Sequence, residues 1–190
     1  MSHILRQISV SASVALLMST SGSFAANIES DLQAHPAEVQ VDSNLPSVSK
    51  TVEVQAPIDK VWSAIQARRT SDPMKRKLLS YDGKTAVIKE LFPSMPVIGS
   101  SNCTYSEREH SAERSIEYKM INSDHFKTFQ GSWHLLPGRK PGTTLVTLTS
   151  TLDPGVRIPF WMQMAKMNMS KDVKTNIQEV VTLANEKSKL

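Results

Sequence analysis

GSWHLLPGRKPGTTLVTLTSTLDPG, residues 131–155, is the stretch on which the reading of this chain turns. Residues 131–137 and 143–153 alternate apolar and polar side chains, and the breaker-rich Pro137-Gly138-Arg139-Lys140-Pro141-Gly142 joins them, which predicts a β-hairpin. After Asp153-Pro154-Gly155 the period changes. Trp161, Ala165, Met169, Val173, Ile177, Val180, Val181 and Ala184 recur at steps of three and four, while Lys166, Lys171, Asp172, Lys174, Glu179 and Lys187 fall mostly elsewhere. That pattern is a helix with one buried face. From about residue 158 to 187 it would run roughly 45 Å at about 1.5 Å per residue, so it needs a long apolar partner.

The only other apolar material upstream is a series of short alternating segments. They occupy residues 47–55, 78–81, 85–92, 100–109, 114–121 and 126–136. With 143–153 they make about seven strands, and the economical arrangement is one curved antiparallel sheet wrapped around the terminal helix, an α+β architecture. Asp82-Gly83 between the second and third segments is a strong hairpin signal. Pro57, followed by Ile58, Val61, Trp62 and Ile65, predicts a short helix after the first strand. A twisted sheet gripping a helix leaves room between the two, which points to an apolar pocket under Trp161 to Met169.

Residues 1–25 combine Arg6 in a short polar head, an apolar run through Leu16, Leu17 and Met18, and Ser23-Phe24-Ala25 before Ala26. This is the pattern of a secretory signal peptide, and the serines interrupt the run too often for a membrane anchor. In a bacterium the mature protein would be periplasmic or secreted. Residues 26–46 are polar, carry Pro36 and Pro46 and show no period, which predicts a flexible lead. The remaining 47–188 fit one domain.

Lys and Arg number 22 against 18 acids; without residues 1–25 only Arg6 is lost, leaving 21 against 18, a charge of +3. So mild a basicity, with aromatics at 6%, does not suit a nucleic-acid module. The histidines after residue 25, His35, His110, His125 and His134, share no metal-ligand spacing with another His, Cys or acid. No phosphate-cradling glycine loop or Gly-x-Ser-x-Gly elbow occurs, so no cofactor is implied. Cys103, the single cysteine, reads as a small core residue. The densest positive cluster, Arg68, Arg69, Lys75, Arg76 and Lys77, reads either as a solvated turn or as a peripheral membrane contact to anionic head groups. Residues 92–99, with two prolines among apolar side chains, read either as a pocket lid or as a loop packed on the core.

Val52-Glu53-Val54-Gln55-Ala56-Pro57-Ile58-Asp59-Lys60-Val61-Trp62 resembles the opening strand, Ala-Pro turn and first helix of the START-like (SRPBCC) superfamily of the helix-grip fold. Ile116-Glu117-Tyr118, Gly131-Ser132-Trp133-His134-Leu135-Leu136-Pro137, Gly142-Thr143-Thr144-Leu145-Val146 and Arg157-Ile158-Pro159-Phe160-Trp161 resemble its last three strands and the approach to its gripping helix. The order of these segments, over about 47–188, carries the resemblance. It implies an apolar cavity between sheet and C-terminal helix that takes a lipid, sterol, quinone or similar molecule. It does not imply catalysis, because that scaffold hosts binders and enzymes alike.

Alternation in 126–136 sets Phe129, Gly131, Trp133 and Leu135 on the face assigned inward, and in 116–120 it groups Ile116, Tyr118 and Met120. Candidate ligand-binding residues are therefore Tyr118, Trp133 and Leu148 from the sheet and Trp161, Met164, Ala165 and Met169 from the helix. Met162 and Met167 lie nearby, and a methionine-rich wall adapts to several ligand shapes, although ordinary core filling also explains it. The leading function is binding or carrying of a hydrophobic small molecule. The alternative is a cyclase or dehydratase acting on a hydrophobic substrate, with Tyr118, His134 or Glu117 as acid–base candidates.

Overall fold

The computed structural model of the protein describes residues 45–95 and 99–186. The signal segment 1–25, most of the lead, and residues 96–98 of the proline-rich loop lie outside the described residues. In order, the chain forms β1 (Ser47–Val54), α1 (Ile58–Ser71), β2 (Arg76–Tyr81), β3 (Thr85–Met95), β4 (Gly99–His110), β5 (Ser115–Ser123), β6 (Thr128–Pro137), β7 (Thr144–Asp153) and α2 (Trp161–Glu186). The seven strands make one sheet in the order β1-β7-β6-β5-β4-β3-β2. Every pairing is antiparallel, so β2 to β7 form a meander and β1 returns to close against β7. This is the helix-grip arrangement expected from the alternating segments.

Register puts the apolar sets in line. Ile116 pairs with Trp133 and Trp133 with Leu148, so three inward side chains cross adjacent strands in one row. Irregularities at Leu78/Ser80 in β2 and at Thr104/Tyr105 in β4 add the local bend a sheet needs to wrap a helix. Against that concave face α2 presents Ala165, Met169, Val173, Ile177, Val180 and Ala184, all buried. Cys103 is fully buried on β4, and burial pushes its thiol up to about 12.

One glycine is demanded by packing. Tyr118 of β5 leans across β6 at Gly131, and its hydroxyl donates to the Thr149 carbonyl of β7 at 3.0 Å. A Cβ at Gly131 would collide with both the Tyr118 hydroxyl and that carbonyl.

α1 is longer than its apolar residues suggested. Pro57 stands at its N-cap, and the helix continues through Arg68 and Arg69 to Ser71 before Asp72 Oδ1 accepts the Met74 and Lys75 N–H groups at 3.1 Å. That extra turn corrects the reading of the basic cluster. Arg68, Arg69 and Arg76 are 4%, 4% and 2% exposed, so they are neither a solvated turn nor available to a membrane. Lys75 is half-buried and only Lys77 is exposed. For Arg68 and Arg69 the physical reason is helical period: Val61, Ile65 and Arg68, like Trp62, Ile65 and Arg69, follow one another at three- and four-residue steps, so the stripe that buries the apolar residues carries these two arginines inward. Arg76 opens β2 and is paired there with Glu90 and Glu179.

Candidate functional site

Between the first half of α2 and the open end of the sheet lies a cavity of about 490 Å³. Its sheet wall is mainly apolar, made by Leu91, Phe92, Pro93, Phe129 and Leu152, with Ser94, Ser100 and Ser150 among them. Its helix wall is polar, made by Asn168, Lys171, Asp172 and Thr175 with Met169 at the inner corner, and the α1–β2 turn adds Asp72, Met74 and Lys75. The two walls follow from their elements. β3, β6 and β7 point the inward residues Phe92, Phe129 and Leu152 at the space, with the exposed Leu91 at its edge, whereas α2 meets it with the flank of its amphipathic stripe, where polar residues begin.

A second space of about 20 Å³, room for about one water, lies deeper. Phe92, Phe129, Ser150 and Asp172 border both spaces. Phe92 and Phe129 meet edge to face with centroids 5.1 Å apart, the better geometry for an aromatic pair. Around the inner space stand Arg68, Glu90, Tyr105, Glu107, Tyr118, Trp133, Leu148 and Asn176.

These polar groups are one network. Arg68 donates from Nη2 to Glu107 at 3.1 Å and from Nη1 to Asn176 Oδ1 at 3.2 Å, with its guanidinium 5.4 Å from the centroid of the Trp133 ring. Arg69 donates from Nε to Glu107 at 2.8 Å and from Nη1 to Glu109 at 2.7 Å. Arg76 donates from Nε to Glu90 at 3.2 Å, from Nη1 to the Arg68 carbonyl at 2.7 Å, and from Nη2 to Glu179. Tyr105 donates to the other Glu90 oxygen at 2.7 Å. Paired this way, the charges compensate one another, but Arg68 Nε and Arg69 Nη2 are buried with no hydrogen-bond partner among the described residues.

Burial would push the Glu90 carboxyl up, yet Arg68, Arg76 and Lys75 beside it outweigh that and hold it below the usual carboxylate range. Asp172 goes the other way. Burial raises its pKa, Lys75 at 3.8 Å offsets this only in part, and the Glu90 charge adds to the rise. Its carboxylate also accepts from Asn176 Nδ2 at 2.9 Å. Burial likewise raises both Tyr105 and Tyr118, so both phenols stay protonated at neutral pH.

Of the residues singled out from sequence, the structure puts Met169 on the main cavity and Tyr118, Trp133 and Leu148 on the inner space. Trp161, Met164 and Ala165 border neither of these two spaces. Trp161 packs instead under Arg157, whose guanidinium lies 4.3 Å from its ring centroid while bonding Asp153 at 2.8 Å. Met162 and Met167 are 39% and 65% exposed, so the four methionines do not form one wall. His134 and Glu117 belong to the outer set of their strands, with Glu117 3.6 Å from His110. The residues that sequence reading missed are the charged ones, Arg68, Glu90, Glu107 and Asp172. A signal for three of them was present: Arg68 continues the apolar stripe of α1, Glu90 continues the inward set Ala86, Ile88 and Phe92, and Glu107 continues Cys103 and Tyr105.

A curved antiparallel sheet gripping a C-terminal helix over an internal cavity is the helix-grip architecture. Residues 46–185 match the family described as polyketide cyclase / dehydrase and lipid transport, and the chain belongs to it, within the START-like superfamily. Among solved structures, the Zhui aromatase/cyclase from Streptomyces sp. R1128 superposes with a TM-score of 0.62 at 18% identity, over 75% of this chain and 94% of that one. A START superfamily protein from Mycobacterium smegmatis gives 0.58 at 19% identity over 74% and 97%. Norcoclaurine synthase from Thalictrum flavum gives 0.55 at 12% identity over 74% and 86%. At these identities the likeness is one of fold. No curated protein matches the chain in sequence.

Proposed function

We propose that this protein binds and carries an amphiphilic hydrophobic small molecule of lipid, sterol or quinone-like character. The observation that carries the reading is the cavity itself: about 490 Å³, inside the range of small-molecule sites, with a mainly apolar sheet wall facing a polar helix wall. Such a space suits a ligand with one apolar face and one polar edge. The inner space adds a preference at the ligand's tip, because the unpartnered Arg68 Nε rewards a group that brings an acceptor, directly or through one water.

Organic extraction of protein purified without detergent, followed by mass spectrometry, tests the proposal together with titration of a fluorescent fatty-acid or sterol probe. A co-purifying amphiphile, displaced by the probe, is the expected result. A protein that carries nothing and leaves every probe free overturns it. N-terminal sequencing of the protein from its own cells tests the accompanying proposal that residues 1–25 are removed on export to the periplasm or medium; a chain starting at Met1 would end it.

A second reading, a cyclase or dehydratase, is favoured by one observation. Asp172 borders the cavity with its pKa raised, the state a general acid requires. In that reading Asp172 replaces the earlier candidates. The Tyr118 hydroxyl is committed to the Thr149 carbonyl, and His134 and Glu117 lie on the other face of the sheet. Loss of turnover in Asp172→Asn with probe binding intact would support the enzyme; turnover unchanged in that variant would remove it.

A further inference from the structure

Four large apolar side chains stand in solvent on the elements that border the cavity or lead into them. Met74 is 89% exposed, Phe160 73%, Met167 65% and Leu91 43%. Met74 and Leu91 border the cavity on the side of the α1–β2 turn and β3. On the opposite side the helical period orders the α2 residues. Ala165, Met169 and Val173 face the core, Asn168, Asp172 and Thr175 face the cavity, and Lys171 stands at its rim, with Met167 next to it one turn back. Phe160 immediately precedes α2, its carbonyl accepting the Met164 N–H at 3.1 Å, and on the helix Met167, Lys171 and Lys174 follow one another at steps of four and three.

Two further facts give this rim a meaning. From Pro154 to Lys171 the sequence holds Arg157, Lys166 and Lys171 and no acid, and among the described residues none of Lys166, Lys171 or Lys174 forms an ion pair with a carboxylate. Phe160 also holds φ at 62°, a left-handed conformation that is costly for a bulky residue, and does so with its ring in water. A strained, exposed aromatic residue of this kind is a feature of functional surfaces more than of inert ones.

We propose that this rim is a docking surface for an anionic lipid bilayer, with Met74, Phe160 and Met167 entering the boundary between head groups and acyl chains and Lys171 and Lys174 meeting the phosphates. Flexible apolar tips interleaved with unpaired cations fit that boundary, which offers apolar depth and negative charge together without a fixed shape. Met74, Leu91 and Lys171 of this surface border the cavity, so docking brings the opening against the phase that holds apolar molecules. It is distinct from the basic cluster at the end of α1, whose arginines are internal.

The test uses the chain isolated from its own cells and vesicles of phosphatidylcholine alone or mixed with phosphatidylglycerol. Parent protein is expected to float with the mixed vesicles and to release as salt rises. Combining Met74→Ser, Phe160→Ser and Met167→Ser should weaken this by about tenfold or more, and Lys171→Gln by roughly fivefold. Variants and parent share one N-terminus, so any contribution of residues 1–44 cancels in the ratio. An environment-sensitive fluorophore on Met74→Cys and Met167→Cys should shift to the blue on mixed vesicles, whereas one on Arg139→Cys, in the turn at the other end of β7, should not; the native Cys103 is buried and does not compete. Absence of binding to mixed vesicles, binding that the apolar variants leave unchanged, or binding only to a protein partner overturns the proposal. Probe titration in solution separates the two readings, since docking can fail while the cavity still fills, and the cavity can fail while the rim still docks.

Discussion

The two halves of α2 share one amphipathic period and have different fates. From Val173 onward the inward stripe, Val173, Ile177, Val180 and Ala184, is 0–3% exposed and lies in the same apolar cluster as Val61, Ile65 and Val54. Before Val173 the same stripe carries only Ala165 and Met169 as buried residues, and the space beside them is open. Hydrophobic period therefore reports which face of a helix is covered, and it says nothing of whether the cover is solid or hollow. What distinguishes the halves is the partner: the C-terminal half meets α1 and the closed end of the sheet, the N-terminal half meets strands whose inward residues end in Ser150 and Leu152.

The largest expected effect breaks the solid side at its charged base. Glu107→Ala leaves Arg68 and Arg69 buried without the carboxylate they share, which should cost about 3–5 kcal/mol in denaturant unfolding. Glu107→Gln should recover only part of this, because it restores one acceptor and no charge. Next, Ile177→Ala should cost about 2–5 kcal/mol as an unrelieved deletion from close packing, while Met169→Ala, already facing empty space, should cost about 2 kcal/mol or less. Equal losses at the two positions would mean that the halves are packed alike.

The charged base is also where sequence and structure parted. Strand order, the long helix and the inward rows through Tyr118, Trp133 and Leu148 were legible because burial repeats with the period of the element that carries it. Arg68, Arg69 and Arg76 were misread because composition alone makes a basic run look solvated. Their burial depends on acids more than thirty residues away in sequence, on β4, and at Glu179 on α2, and no local pattern announces such partners. Trp161 was drawn to the pocket by its place on the stripe. Asp153 and Arg157, i and i+4 in the link before the helix, hold it outside.

A third pair of variants sharpens the contrast by adding bulk. Leu152→Trp should fill the hollow half with little loss of stability and abolish probe binding. Ala165→Trp, placed at a buried position away from both spaces, should cost about 1–3 kcal/mol and leave binding largely intact.

Smaller effects come from pH. Glu90 and Glu179 are held below the usual carboxylate range, the charges of Arg68, Arg76 and Lys75 and the hydrogen bond from Arg76 outweighing burial. Their contribution is fully present above the unfolded-state pKa of about 4.3 and is lost as pH falls through their depressed folded values. The urea midpoint should therefore decline below about pH 4. Asp172 has the opposite sign: with its pKa raised, its contribution is present at low pH and is lost as pH rises through the folded value. Asp172→Asn should accordingly raise the midpoint slightly at neutral pH and change nothing in acid, the smallest shift of the set.

Cys103 gives the sheet a clock. Its sulfur is fully buried, and burial places its pKa at about 12, so a thiol reagent at neutral pH meets neither access nor thiolate while β4 stays in place. Every labelling event must then be preceded by an opening that exposes β4, and the labelling rate divided by that of an unfolded chain gives the fraction of time spent open. The chain has one cysteine, so the count is free of competing signals. A ligand that ties α2 to the sheet should slow the clock in proportion to its occupancy, whereas one held only at the outer rim should leave it running at its original pace.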